Sequence, residues 1–138
     1  MLNHSTNPTL SKASLSFSDG ILSIKFAEHT VIDVEDVIYI YCYGIEKSGR
    51  KPYGILFDSS SDHELSEEAI VYLADTALRH NIIALAYISK TLISKIRLSL
   101  FLIFERPPVK PKIFQSETQA REWLLQQVRQ ASQQAQDQ

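Results

Sequence analysis

A single cysteine, Cys42, stands in the 138 residues. No disulfide can form within the chain, and a zinc ribbon or disulfide-stapled fold is excluded. Cys42 lies in an apolar-patterned segment, which predicts a buried, inert thiol. The chain also lacks a dominant charge: 14 Lys and Arg face 16 Asp and Glu, for a formal net charge of −2. The molecule as a whole is therefore no polyanion binder. Long hydrophobic runs are missing too. The most apolar stretch, Leu98–Phe104, falls far short of the roughly 20 residues that cross a bilayer. Met1–Ser14 is rich in Ser, Thr and Asn without an apolar centre or basic flank, so it does not read as a signal peptide, and a cytoplasmic location is expected. No internal repeat, Gly-x-Ser-x-Gly elbow, phosphate-binding loop or His-Glu-x-x-His helix is present.

What is there suits one globular domain, with 44% hydrophobic and 22% charged residues. The organising stretch runs from Pro52 to His80. Tyr53–Asp58 is a short apolar run ending in an acid, as expected of a strand buried on both faces. A polar turn, Ser59–Leu65, leads into a helix from Ser66 to Arg79. Ile70, Leu73, Ala74, Ala77 and Leu78 form its apolar stripe. Ser66 supplies an N-cap, and Glu67 and Glu68 sit at the positive end of the helix dipole. Arg79 and His80 sit at its negative end, and Asn81 suits the left-handed residue that closes a helix.

Upstream, Asp19-Gly20 between the alternating runs Leu15–Phe17 and Ile21–Phe26 predicts a hairpin, with Leu22, Ile24 and Phe26 facing inward. Thr30–Ile32 is a short strand. Asp33 caps a helix whose stripe is Val34, Val37, Ile38, Tyr41, Cys42 and Ile45, with Gly49 as its stop. The alternation of Ile38–Tyr43 also fits a strand; the cap and acidic first turn favour helix. Downstream, Ile82–Ile88 is a second buried strand. Lys90–Glu105 reads as a helix, with a strand over Leu98–Phe104 as the competing reading. Prolines 107, 108 and 111 enforce an extended link. Lys112–Phe114 is the last strand, and Ser116-Glu117-Thr118-Gln119 opens the last helix with a capping-box pattern. The expected organisation is a tail over 1–13, one domain over 14–128 and a Gln-rich, frayed end over 129–138. Alternation after the hairpin predicts a mixed, mostly parallel α/β sheet with about four helices packed on it.

Two clusters attract a functional reading. Asp58, Ser59–Ser61, Asp62, His63 and Glu64 gather acids, hydroxyls and an imidazole. They could form a hydrolase built on Asp58 and His63, or a site of oxygen ligands for a hard cation. A polar turn of residues that bond their own backbone explains the same composition more simply. No metal or cofactor is expected. The segment from Lys90 to Lys112 carries six cations, Lys95 among them, against Glu105 alone. It reads as a solvated rim more readily than as a docking face for an acidic partner, a nucleic acid or a membrane. No nucleic-acid partner is expected, because aromatic interleaving is scarce.

Several phrases in order resemble the STAS-like family, the fold of bacterial anti-sigma-factor antagonists, and look closer still to an uncharacterised bacterial branch of that superfamily. They are Gly20-Ile21-Leu22-Ser23-Ile24-Lys25-Phe26, Val31-Ile32-Asp33-Val34-Glu35-Asp36, Tyr53-Gly54-Ile55-Leu56-Phe57-Asp58, Leu65-Ser66-Glu67-Glu68-Ala69 and Pro108-Val109-Lys110-Pro111-Lys112-Ile113-Phe114. The resemblance implies a mixed sheet with helices mainly on one side and a non-enzymatic role. Antagonists of this superfamily are switched by phosphorylation of a serine in an Asp-Ser pair at the start of the helix after the central strand. Here that position reads Ser66-Glu67-Glu68, so the switch does not carry over.

The expectation is a non-catalytic protein-interaction or regulatory domain that self-associates. Its surface would involve Asp58, Asp62, His63, Ser66 and Glu67, or Lys95, Leu100 and Phe101 on the 91–104 helix. The alternative is a carrier that binds a small apolar ligand or lipid between helix and sheet, by analogy with lipid-transfer domains.

Overall fold

A computed structural model describes residues 12–58, 63–76, 81–89, 109 and 111–136. The helix expected over 90–105, with Lys95, Leu100 and Phe101, lies outside the described residues, as does Asp62. The elements in order are β1 (Ala13–Ser18), β2 (Ile21–Phe26), β3 (Thr30–Ile32), α1 (Val34–Ser48), β4 (Tyr53–Asp58), β5 (His63–Leu65), α2 (Glu67–Thr76), β6 (Ile82–Ile88), β7 (Pro111–Phe114) and α3 (Glu117–Gln136). Five strands form one sheet in the order β1-β2-β4-β6-β7. β1 runs antiparallel to β2, and every other neighbour in that sheet is parallel. The mixed, mostly parallel α/β fold with an N-terminal hairpin is thus the one the pattern predicts, and β4 is its middle strand.

Local chemistry explains the turns. Asp19 and Gly20 have φ of 56° and 76°, the two positive values that let a two-residue loop follow the twist of its strands. α1 ends in paired bonds, Gly49 N to Glu46 O (3.2 Å) and Arg50 N to Ile45 O (3.1 Å). They satisfy two of the last free carbonyls, and Gly49 at φ 64° takes the left-handed conformation without steric cost. The strand alternative for Ile38–Tyr43 is therefore set aside. Asn81 has φ 64°, as a closing residue should, while Ala77, Leu78, Arg79 and His80 lie outside the described residues, as do the side chains of Ile70, Leu73 and Ala74. Ser116 caps α3 by accepting from Gln119 N at 3.2 Å. That helix continues to Gln136, through most of the segment expected as a tail.

Both faces of the sheet are covered. On one, Leu22, Ile24, Phe26, Tyr53, Ile55, Phe57 and Leu85 meet Val37, Ile40 and Tyr41 of α1 and Ala69 of α2. On the other, Ile21, Leu56, Ala84, Ala86 and Ile88 meet Ala120 and Leu124 of α3. The resemblance implied helices mainly on one side; among the described residues α1 and α2 share one face and the other is covered by α3. Small residues let it approach. A Cβ built on Gly54 would lie 2.9 Å from Leu124 Cδ2, and one on Gly20 would lie 2.9 Å from Val128 Cγ1.

The buried side of α1 is rotated from its predicted stripe. Asp36, Val37, Ile40, Tyr41 and Gly44 face inward, while Ile38 and Cys42 are exposed. The expectation of a buried Cys42 is overturned. A hydrophobic stripe gives no weight to an acid or a glycine, yet Asp36 is drawn in by an ion pair and Gly44 makes room for the Tyr53 ring. A Cβ at Gly44 would lie 2.7 Å from Tyr53 Cζ and overlap its hydroxyl. Tyr53 is fully buried, and its hydroxyl has no hydrogen-bond partner within the protein. Burial, and secondarily nearby Cys42, raises its pKa well above the ordinary 10.0.

Tyr53→Phe removes an unsatisfied buried hydroxyl and should stabilise the fold by about 1 kcal/mol in urea titrations. Gly44→Ala should cost about 1–3 kcal/mol by overpacking, in part recovered in the double variant. Up to pH 10 the phenol is protonated in both states. Above it only the unfolded chain ionises, so wild-type stability should fall by up to about 1.4 kcal/mol per pH unit from this group, a component absent in Tyr53→Phe. Cys42 should react fully with a thiol reagent in the native protein, whereas a buried thiol would require denaturant.

Candidate functional site

The parallel strands β2, β4, β6 and β7 all finish on one side, where α/β sheets meet their ligands and partners. β4 ends there at half-buried Asp58, in register with Lys25 of β2 and Ile88 of β6. Just past β6, Ser89 is fully buried, and its N–H donates to Phe114 O at 3.0 Å. Asp58 and Ser89 are both engaged within the protein. Nothing in the sequence singled out Ser89, a lone serine after an apolar run.

The segment Ser59–Leu65, expected as a turn, ends in a strand. β5 pairs in parallel with β3, matching Thr30 with His63, Val31 with Glu64 and Ile32 with Leu65. Ser66 N extends the ladder to Ile32 O at 3.0 Å. His63 therefore belongs to a strand, not to a loop beside Asp58. The cause is tertiary: the edge of β3 offers partners that a local reading of a polar stretch does not include. The ribbon carries directly into both helix starts, since Asp33 follows β3 and Ser66 follows β5.

At the start of α2, Ser66 Oγ accepts from Ala69 N at 3.1 Å, the expected cap. Glu67 and Glu68 follow in the first turn, both exposed. At the start of α1, the Asp36 carboxylate reaches back to accept from Asp33 N at 2.9 Å, the acidic arm of a capping box. The same Oδ2 accepts from Lys12 Nζ at 2.9 Å, and Asp36 is only 4% exposed. Lys12 Nζ also donates to Val31 O at 3.0 Å and lies 3.9 Å from Asp33 Oδ2. Sequence reasoning placed Lys12 in the tail and missed this corner. A cation 24 positions before its acid leaves no periodic trace.

The result is an acidic rim. Asp33, Glu35, Glu67 and Glu68 are exposed at two neighbouring helix starts. Around them lie the exposed aliphatics Val31, Ile38 and Val71, each within about a turn of one start. Negative side chains already occupy the positive ends of both helix dipoles, which disfavours an anion there. Among the described residues, no cluster of three or more His, Cys, Asp or Glu side chains could hold a metal ion, and no helix is long and apolar enough to cross a membrane.

A protein family described as "Domain of unknown function (DUF7793)" matches residues 15–128. The chain belongs to this family. The DUF7793 chain is also similar to the crystal structure of an uncharacterized protein of the DUF3478 family, with a SpoIIAA-like fold, from Shewanella loihica PV-4. The two are 19% identical and superpose with a TM-score of 0.56 over 81% of this chain and 91% of that one. No curated protein matches. The DUF7793 chain thus has the STAS-like fold that its phrases suggested. At that identity the likeness concerns the fold alone.

Ser66→Ala should lower stability by about 1 kcal/mol through loss of the cap. Asp36→Asn should cost about 2 kcal/mol, because a buried charge-assisted bond to Lys12 becomes a neutral one. Urea titrations of the two variants check both values.

Proposed function

We propose that this DUF7793 domain is a non-catalytic protein-interaction domain that self-associates, its acidic rim being a docking surface of fixed charge. The observation that carries this reading is Glu67. A carboxylate stands where a STAS-like antagonist would present a hydroxyl for phosphorylation. A carboxylate cannot accept a phosphoryl group as a stable ester, so the surface here would hold one charge state throughout. Exposed Val31, Ile38 and Val71 beside Asp33, Glu35 and Glu68 supply the mix of apolar contact and polar rim found at protein interfaces. A hydrolase on Asp58 and His63 has less support, because the two belong to different strands in separate sheets.

Native mass spectrometry of the purified protein tests the proposal. The expected species has twice the 15.7 kDa chain mass and carries no bound small molecule. A monomer with an added mass in the range of a lipid would overturn it and install the apolar-ligand carrier in its place.

A further inference from the structure

Among the described residues, nothing defends one edge of the sheet. Free strand edges invite pairing with another chain, and natural proteins blunt them with charges, prolines or bulges. β1 reads Ala13-Ser14-Leu15-Ser16-Phe17-Ser18 and carries none of these. It pairs with β2 in unbroken register over all six residues. Among the described residues no strand lies on its outer side. Lys12, just before the strand, is turned inward onto Asp36 and Val31 O.

The register tells which backbone groups face out. The two-residue turn at Asp19-Gly20 makes Ser18 and Ile21 a hydrogen-bonded pair. Ala27 N donates to Lys12 O at 2.7 Å at the far end, in phase with that pattern. The N–H and C=O of Ser14, Ser16 and Ser18 therefore point at β2, and those of Ala13, Leu15 and Phe17 point away from it. Side chains alternate as well: Ser14, Ser16 and Ser18 are exposed on one face, while Leu15 and Phe17 are half-buried on the face shared with α1.

We propose that β1 is the self-association edge, pairing antiparallel with β1 of a second copy about a two-fold axis at Leu15. This rests on the self-association reading above and names its interface. Centring on Leu15 matches Ala13 with Phe17 of the partner subunit and Leu15 with its own copy, so all three outward N–H groups and all three outward C=O groups are bonded. Centring on Ser14 or Ser16 leaves one outward residue unpaired. The Leu15 register sets Ser14 opposite Ser16 and places no like charges face to face. Leu15 and Phe17 then gain apolar neighbours across the axis, and two five-stranded sheets become one.

Leu15→Pro is the direct test. The Leu15 N–H does not bond to β2, so proline there spares the hairpin yet removes a central donor at the edge. Sedimentation should read a dimer for wild type and a monomer for Leu15→Pro, with a cooperative thermal melt showing that the variant is folded. In a Cys42→Ser background, Leu15→Cys should oxidise to a covalent dimer, because the paired Cα atoms would sit about 5.5 Å apart. Ser18→Cys should not, its copy being about 20 Å away along the strands. If wild type is dimeric while Leu15→Pro stays dimeric or Leu15→Cys fails to cross-link, this edge is wrong and self-association stands elsewhere. If wild type sediments as a monomer at about 100 µM, both readings fall. Should Leu15→Pro not fold, the cysteine pair decides alone.

Discussion

The fold depends on hiding one strand from water on both sides. β4 has buried residues from Tyr53 to Phe57, so each must find a helix or a neighbouring strand above or below it. The two faces solve this differently. On the α1 and α2 side the strand offers large side chains: Tyr53 meets Phe17 edge-on with ring centroids 6.1 Å apart, and Phe57 meets both Phe26 and Tyr87. On the α3 side it offers Gly54 and Leu56, and the helix comes close. Gly44 is the mirror of Gly54: there the strand supplies the bulk and the helix gives way. α1 and α3 are thus each seated by a glycine that is half of a size-matched pair.

Much of this was legible in the residues. Asp19-Gly20, Gly49, Ser66 and Ser116 act through local backbone chemistry, and each performs the role its type predicts. The apolar runs Tyr53–Asp58 and Ile82–Ile88 lack a polar face, which is what a parallel strand covered on both sides requires. The failures share a cause. β5 exists because β3 lies alongside it. Asp36 is buried because Lys12 comes to meet it, and Cys42 is exposed because Gly44 takes the inward place on the helix. Each depends on a partner distant in sequence, and neither period nor propensity registers such partners. The end of β4 at Asp58 and the Ser66 cap of α2 are local signals and could be read from the residues. The Lys12–Asp36–Asp33 corner could not.

The acidic rim and the β1 edge adjoin at Lys12 but use different physics. The rim is charge and a few aliphatic side chains, suited to recognition that weakens as salt rises. The edge is backbone hydrogen bonding with near-neutral side chains, indifferent to salt.

The β3–β5 ribbon also bears on how the chain can vary. Its two strands lie beside each other, and each runs straight into a helix, so the first turns of α1 and α2 are sewn to one another before either reaches the main sheet. A residue inserted into either short strand would slip the stitching by one place, turning Asp33 N–H from the Asp36 carboxylate or Ser66 from the amide it serves. Room for insertions should therefore lie outside the ribbon, between its strands and the sheet, and the two helix mouths should keep their spacing however far the intervening loops drift.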